Sequence, residues 1–440
     1  MAIVMGGWHE PWVLGAATAA LGLGALRVPL LAWFALTPLA HAAYTLDPPS
    51  AACAALIAGA AFGISGQTTP MVRRLMPVSM FVMGVSFAAA FGAASHLWPA
   101  EAVWLAPIVV PCAALLAVLP LRLLGAPRYL TNLLARSQES QPSVLRVARV
   151  GRSDLVLLAL MGATSGALLT LRDGSSQVVG IATFCLVVLI FVGTHAFARP
   201  AAPTRTLRVA AVVADGPVNA FDLDHPSTAP SAVVPRYDPV IARASKDGAR
   251  LIVLPEIAVR VDDRSRALWN EACVRWASSH GVTLVAPHFD VSTMRNELSV
   301  FGPDGELLAS YEKQHPAPIE APRQQRMGPA EFAVEGVRAS AVICVDLDYG
   351  DLITTARRSA LLVAPANDWP VFDELHHRTA VWSAVLANTP LVRATGHGIS
   401  AVFDGSGRVL AKVNANSNGG TAVLVADVPI APDEKDDDHA

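Results

Sequence analysis

In a chain of 440 residues, three side chains that together could carry out acyl transfer each stand where an apolar run stops. Glu256 follows LIVLP, Lys313 closes LLASYEK, and Cys344 ends AVIC just before the acids Asp346, Asp348 and Asp351. Short apolar runs with abrupt polar ends read as buried strands, so all three groups are delivered to strand ends. A carboxylate there can take a thiol proton, an ammonium can stabilise both a thiolate and the oxyanion of a tetrahedral intermediate, and the thiolate can attack a carbonyl carbon. Lys313 is one of only four lysines, which makes surface decoration a poor default for it. Each residue also has a plainer reading: Cys344 as a small core side chain, Glu256 as a helix-entry carboxylate, Lys313 as a solvated charge. Asp346 and Asp348 read equally well as the first turn of a following helix, where acids complement the dipole. Asn367, Asp368 and Trp369, after LLVAPA, read as turn chemistry or as substrate contacts. His376 and His377 have no acid at ligand spacing and read as a solvated helix face.

The elements that must hold these groups follow from the pattern after residue 206. Strands are expected at 207–214, 251–254 and 282–286, with helices at 236–248 and 264–280 between them. A hairpin turning at Pro303-Asp304-Gly305 leads to Lys313, and a further strand leads to Cys344. Then come a strand at 361–364, a helix over 372–387, strands at 390–394 and 399–403, a turn at 404–407, and strands at 408–413 and 421–427. Alternating strand and helix signals of this kind make residues 206–427 a layered α/β domain, with 428–440 an acidic, solvated tail.

The first 199 residues are of another kind. The whole chain is 53% hydrophobic and only 16% charged, with a mean hydropathy of +0.43, too apolar for an ordinary soluble protein. Apolar runs occupy about 11–26, 28–46, 48–72, 75–100, 102–121, 155–171 and 174–198, each near the ~20 residues a bilayer core requires. We read 1–199 as a polytopic bundle of about seven spans, joined to the domain by a linker at 200–205. Because six runs follow the first without a folded domain between, a signal peptide is the poorer reading of that run. Residues 1–200 hold 11 arginines, no lysine and 6 acids, so the basic loop at 122–152 is cytoplasmic by the positive-inside rule. The acidic second half and the lack of any basic, aromatic-laced run exclude nucleic acid as a partner. The five cysteines form neither a disulfide framework nor a metal-ligand spacing.

LPEIAV around Glu256, YEK at Lys313 and ICVDLDYGD at Cys344 resemble the motifs of the carbon-nitrogen hydrolase (nitrilase) superfamily, in the same order. The apolar first half, RVAAVVADGPV, the NDW ending at Trp369 and PLVRATGHGISAVFDGSGRV from Pro390 are similar, more specifically, to the apolipoprotein N-acyltransferase family. That resemblance implies an αββα sandwich and a reaction without metal or cofactor. It makes Cys344 the nucleophile, Glu256 the general base and Lys313 the stabiliser of the intermediate, with Glu320, Asp346, Asn367 and Trp369 as supporting or substrate-binding residues. It also implies a multi-pass protein of the bacterial inner membrane. There an acyl chain passes from phospholipid, through a cysteine thioester, to the N-terminal amine of a lipoprotein or lipopeptide. It places the loop at 128–152 and the domain outside the cytoplasm, against the charge rule, and we take the outside placement as the expectation. Glu256 and Lys313 both stand at polar strand ends, so Glu256→Gln and Lys313→Met are expected to cut turnover by ~100-fold or more while preserving folded protein. The chain departs from the family in several places. Val345 and Asp346 stand where tyrosine and glutamate are usual, KQHPAPIE before Glu320 is one residue shorter, and the nearest aromatic to a usual tryptophan is Phe221. The acidic tail also stands where the family has a last membrane helix. These departures keep two alternatives open: a membrane-anchored amidase hydrolysing a carbon-nitrogen bond, and a non-catalytic binding module.

Overall fold

The computed structural model describes residues 10–25, 28–64, 70–99, 101–123, 155–172, 176–197, 203–213, 229–317, 320–368, 373–415 and 422–431. Trp369, Phe221, the loop at 128–152 and most of the acidic tail lie outside the described residues. The chain divides into two units, Met1–Arg199 and Pro200–Ala440.

The first unit is helical: α1 Pro11–Ala25, α2 Thr37–Thr45, α3 Pro48–Ile64, α4 Pro70–Leu97, α5 Ala106–Leu123, α6 Leu155–Arg172 and α7 Gln177–Phe197. Each expected apolar run yields a helix, but the second is broken into a 3-10 turn at Pro29–Trp33 and the short α2, where prolines restart the helix. Among the described residues, three stretches, Met80–Leu97, Val103–Pro120 and Gln177–Thr194, are long and apolar enough to cross a bilayer. Pro11–Leu23, Pro48–Phe62 and Leu155–Leu171 are apolar but shorter. Small residues let the helices approach closely: a Cβ added to Gly59 on α3 would lie 2.5 Å from the Met83 carbonyl oxygen on α4.

The second unit contains thirteen strands among the described residues. They are β1 Arg205–Val213, β2 Leu251–Val253, β3 Arg260–Val261, β4 Thr283–Asp290, β5 Arg295–Phe301, β6 Leu307–Glu312, β7 Ala330–Val334, β8 Val337–Ala341, β9 Leu361–Asn367, β10 Leu391–Gly396, β11 Ile399–Phe403, β12 Val409–Asn414 and β13 Ala422–Ile430. One sheet runs β13-β1-β2-β4-β5-β6 with β3 beside β4; the other runs β12-β11-β10-β9-β8-β7. The sheets stack through β1 against β10 and β11. Helices α8 Pro230–Lys246 and α9 Arg266–His280 pack together on the outer face of the first sheet, where Tyr237, Ile241, Trp269 and Trp276 meet Ile252 and Leu284. Helix α11 Asp373–Ala387 lies on β10 and β11 of the second sheet, with α10 Gly350–Ala356 against it. The result is an αββα sandwich. The β7–β8 hairpin was not legible in the sequence; it turns on Glu335 and Gly336, both at positive φ (50° and 71°), as a tight primed turn requires.

Register explains how distant residues meet. Strands β1, β2 and β4 are parallel, as are β8, β9 and β10, so within each set the carboxyl ends share one rim. Strand β5 returns antiparallel to β4, pairing Asn296 with Phe289, and β6 runs antiparallel again, pairing Glu312 with Glu297. The chain just after β6 thus arrives beside the start of β5.

Candidate active site

Glu256 emerges from β2 and its backbone N–H donates to the Ala366 carbonyl at the end of β9, which ties the rims of the two sheets together. Lys313 leaves β6 with its own N–H on the Asn296 carbonyl, at 2.9 Å. Its Nζ donates to Glu256 Oε1 at 2.8 Å and to Glu320 Oε1 at 3.2 Å. Asn296 Nδ2 donates to the same two oxygens at 2.7 and 2.9 Å, and Ala317 N–H holds Glu320 Oε2. Glu256, Lys313 and Glu320 are all buried, so two carboxylates share one ammonium away from water. Burial works against the charge on Lys313, but Glu256 and Glu320, with Cys344 behind them, hold the ammonium well above its ordinary pKa. Lys313 therefore remains a cation.

Cys344 follows β8 and opens a 3-10 turn, Cys344–Asp348, with φ at +51°. A non-glycine residue in that region is strained, and Ile257 and His397 share it (54° and 55°), each directly after a site element. The residue as a whole is partly accessible. Burial and the Glu256 carboxylate push it up, while Lys313 and Arg393 pull it down against Asp368. The net direction is well above a free thiol, so the resting nucleophile is an S–H that needs a base.

Asp346 stands in the first turn of the 3-10 helix Cys344–Asp348 rather than at the start of α10, and it does more than complement a dipole. It is completely buried and accepts four hydrogen bonds: Gln314 N–H at 3.1 Å, His315 N–H at 2.9 Å, His315 Nδ1 at 2.8 Å and Tyr311 O–H at 2.7 Å. One carboxylate thus clamps the nucleophile turn to both sides of Lys313. Tyr349 stacks on His315, its ring 3.3 Å away.

The solvated-face reading of His376 and His377 is corrected by packing. His377 is buried beside Phe403, and His376 Nδ1 sits 2.7 Å from Asp368 Oδ1. Asp368 is not a simple turn residue either: it is fully buried and also accepts from Arg393 Nη2 at 2.7 Å. Asn367 ends β9 in register with Gly396. Sγ of Cys344, a carboxylate oxygen of Asp368 and a ring nitrogen of His376 lie within 4.8 Å of one another. Such a donor set can ligate a divalent cation, but the Arg393 guanidinium on Oδ1 already balances the charge of the carboxylate. Asp368 was read from sequence as turn chemistry or a substrate contact and His376 as part of a solvated face, whereas Asn296 and Arg393 were not singled out as site residues. Of those two, Arg393 carried a signal, as a guanidinium inside the apolar strand PLVRAT that must find a buried acid.

The profile of the carbon-nitrogen hydrolase family matches residues 209–432. Among curated proteins, the chain is similar to the omega-amidase NIT2 of Danio rerio, 26% identical over 236 residues, 44% of this chain and 82% of that protein. This relative is an omega-amidase, not an apolipoprotein N-acyltransferase. Solved structures with likeness include an amidase from Nesterenkonia sp. AN1 in complex with acrylamide, at 20% identity and a TM-score of 0.45 over 51% of this chain and 91% of that one. Nit3 of Saccharomyces cerevisiae, a member of the nitrilase superfamily, aligns at 19% identity and a TM-score of 0.42, over 51% of this chain and 90% of that one. Because the profile runs from β1 through β13 and takes in every strand end that carries Glu256, Lys313 and Cys344, the chain belongs to the carbon-nitrogen hydrolase family.

Proposed function

We propose that this protein is a membrane-embedded acyltransferase that moves a fatty acyl chain from phospholipid to Cys344 and then to the N-terminal amine of a lipoprotein. The observation that carries this reading is the presence, on one chain, of a buried carboxylate–ammonium–thiol set and of helices long and apolar enough to cross a bilayer. Only 17% of the Gln177–Thr194 stretch is buried, leaving Val178, Phe184, Leu189 and Val192 exposed, a surface suited to lipid rather than water. In this reading the protein is a multi-pass protein of the bacterial inner membrane with its second unit outside the cytoplasm.

In the first half-reaction Glu256 accepts the Sγ proton as sulfur bonds to the ester carbonyl carbon. Lys313 and Asn296 both bond to Oε1, which leaves Oε2 to take that proton. Lys313, held cationic and felt by the Cys344 thiol, would stabilise the developing oxyanion. When the intermediate collapses, the carbon–oxygen bond breaks and the leaving alcohol oxygen takes the proton from Glu256. A thioester remains on Cys344. In the second half an amine attacks the thioester carbon, the carbon–sulfur bond breaks, the proton lost by the amine nitrogen ends on the departing sulfur, and an amide leaves. No metal or cofactor is needed for any of these steps.

A second reading is favoured by the likeness to an omega-amidase: an amide would acylate Cys344 and water would discharge it. Purified protein mixed with phospholipid vesicles separates the two. The transferase gains the mass of one acyl group at Cys344, labile to hydroxylamine and absent in Cys344→Ala, and a lipopeptide with a free N-terminus discharges it faster than water. Equal discharge by water favours the amidase. Failure of any adduct to form on intact protein favours a binding module.

A further inference from the structure

The steps above use one side of the site's ionisable groups and leave Asp368, His376 and Arg393 without a task. Asp368 is held through one carboxylate oxygen and its backbone, while Oδ2 is buried with no hydrogen-bond partner among the described residues. Its Oδ1 accepts from His376 Nδ1 and Arg393 Nη2, both at 2.7 Å, and its backbone N–H donates to the Gly396 carbonyl at 2.8 Å. Arg393 is itself tied by Nη1 to the Ile399 carbonyl at 3.1 Å. Gly398 lies so near that an added Cβ would stand 2.5 Å from Asp368 Oδ2. Burial opposes ionisation of this carboxyl, but Arg393 and His376 outweigh it and hold its pKa below the ordinary value. An ionised, fixed acceptor on Nδ1 sets the imidazole tautomer: the proton of the neutral ring sits on Nδ1 and the basic lone pair is on Nε2.

The imidazole is the member of this trio that meets the site. Asp368 and Arg393 are sealed, whereas the His376 side chain is 18% exposed and lines one small cavity with Cys344, Val345, Leu347 and Arg393. The charged or titratable groups facing it are Asp368 from the end of β9, Arg393 from β10, and Cys344 and Asp348 from the nucleophile turn. A thioester reaction needs a proton accepted at two places, first from Sγ and later from the nucleophile that attacks the thioester carbon. Glu256 and His376 are two bases set beside the same sulfur.

We propose that His376 is a second general base, taking the proton of the amine or water that discharges the Cys344 thioester, with Asp368 and Arg393 as the pair that positions it. The assignment rests on the reading of Cys344 as the acylated nucleophile. As the new bond forms at the thioester carbon, Nε2 accepts one proton from the attacking nitrogen or oxygen. The carbon–sulfur bond then breaks, the thiolate leaves, and the proton on Nε2 returns to sulfur. No outside reductant or oxidant enters.

The test uses the full chain in detergent with p-nitrophenyl acetate, which acylates a reactive thiol whatever the natural donor. A burst of p-nitrophenolate reports acylation, and decay of the hydroxylamine-labile adduct, with water alone or with added glycine methyl ester, reports discharge. His376→Gln should keep the burst and slow discharge about 100-fold, the usual contribution of a general base. Wild-type discharge should rise with pH to a plateau, and that limb should be absent in the variant. Added imidazole should restore discharge in His376→Ala, which a merely structural role would not produce. Discharge by His376→Gln at the wild-type rate with the wild-type pH profile overturns the assignment while leaving the nucleophile intact. No burst from wild type removes the nucleophile reading, and this proposal with it. If neither variant folds, a wild-type discharge in water alone that does not change with pH overturns the assignment by itself.

Discussion

Replacing Lys313 should destabilise the domain as well as silence it, whereas replacing Glu256 should silence it alone. In the wild-type cluster two buried carboxylates share one ammonium, leaving one net negative charge, and the three side chains are 3–6% exposed. Lys313→Met keeps the volume but leaves Glu256 and Glu320 facing each other, both on Asn296 Nδ2 at 2.7 and 2.9 Å. Removing one partner of a buried ion pair costs about 3–5 kcal/mol, because the other charge stays buried without compensation. For a domain of this size about 1 kcal/mol corresponds to roughly 2–4 °C, so Tm should fall by roughly 6–20 °C. Glu256→Gln goes the other way. It leaves Lys313 balanced by Glu320, keeps an amide oxygen for Lys313 and Asn296, and should move stability by less than about 1 kcal/mol while turnover drops ~100-fold or more. Reading from sequence, both changes were expected to spare the fold; burial of the second carboxylate, Glu320, is what separates them. Lys313→Met combined with Glu320→Gln should recover at least half of the lost Tm, since a single carboxylate then remains. Thermal unfolding in detergent, followed by far-UV circular dichroism, measures all four proteins. The reasoning fails if Lys313→Met melts with wild type, or if Glu256→Gln falls as far.

Alkylation of Cys344 by iodoacetamide should go on climbing with pH beyond about 8.5, where a free thiol is half ionised, because burial and Glu256 raise its pKa. In Glu256→Gln the curve should shift to lower pH even as turnover collapses; coincident curves would remove Glu256 from the thiol's surroundings. Asp346→Asn turns an amide N–H toward donors that all need an acceptor, and should cost about 1–3 kcal/mol, with KM and kcat both disturbed as the Lys313 segment loosens. Unchanged protease resistance of residues 313–329 in that variant would show that Asp346 is no clamp. For membrane orientation, a reporter active only outside the cytoplasm, fused after Ala440, should function; activity of a cytoplasm-only reporter there refutes the placement.

The sequence by itself determined where the strands stop and what each stop presents. Burial of the backbone demands apolar runs, and a charged or nucleophilic residue closing such a run is visible at Glu256, Lys313 and Cys344 without any coordinates. It also determined the contrast between an apolar helical first half and a layered second half, because length and hydropathy are local properties. The broken second run shows the limit of that reading, since prolines shortened α2 below what a hydropathy window suggests. Partnerships across the sheets were left to tertiary structure. Asn296 reaches Glu256 only because β5 runs antiparallel to β4, and Arg393 reaches Asp368 only because β9 and β10 run parallel in a fixed register. Asp346 looked like a helix-start acid, and only the fold brings Gln314 and His315 under it. His376 looked solvated because its acid lies eight residues back on another element, a distance that no helical period connects. Side-chain pairs at helical or strand spacing are encoded locally, whereas those made by strand order and register exist only once the two sheets have closed.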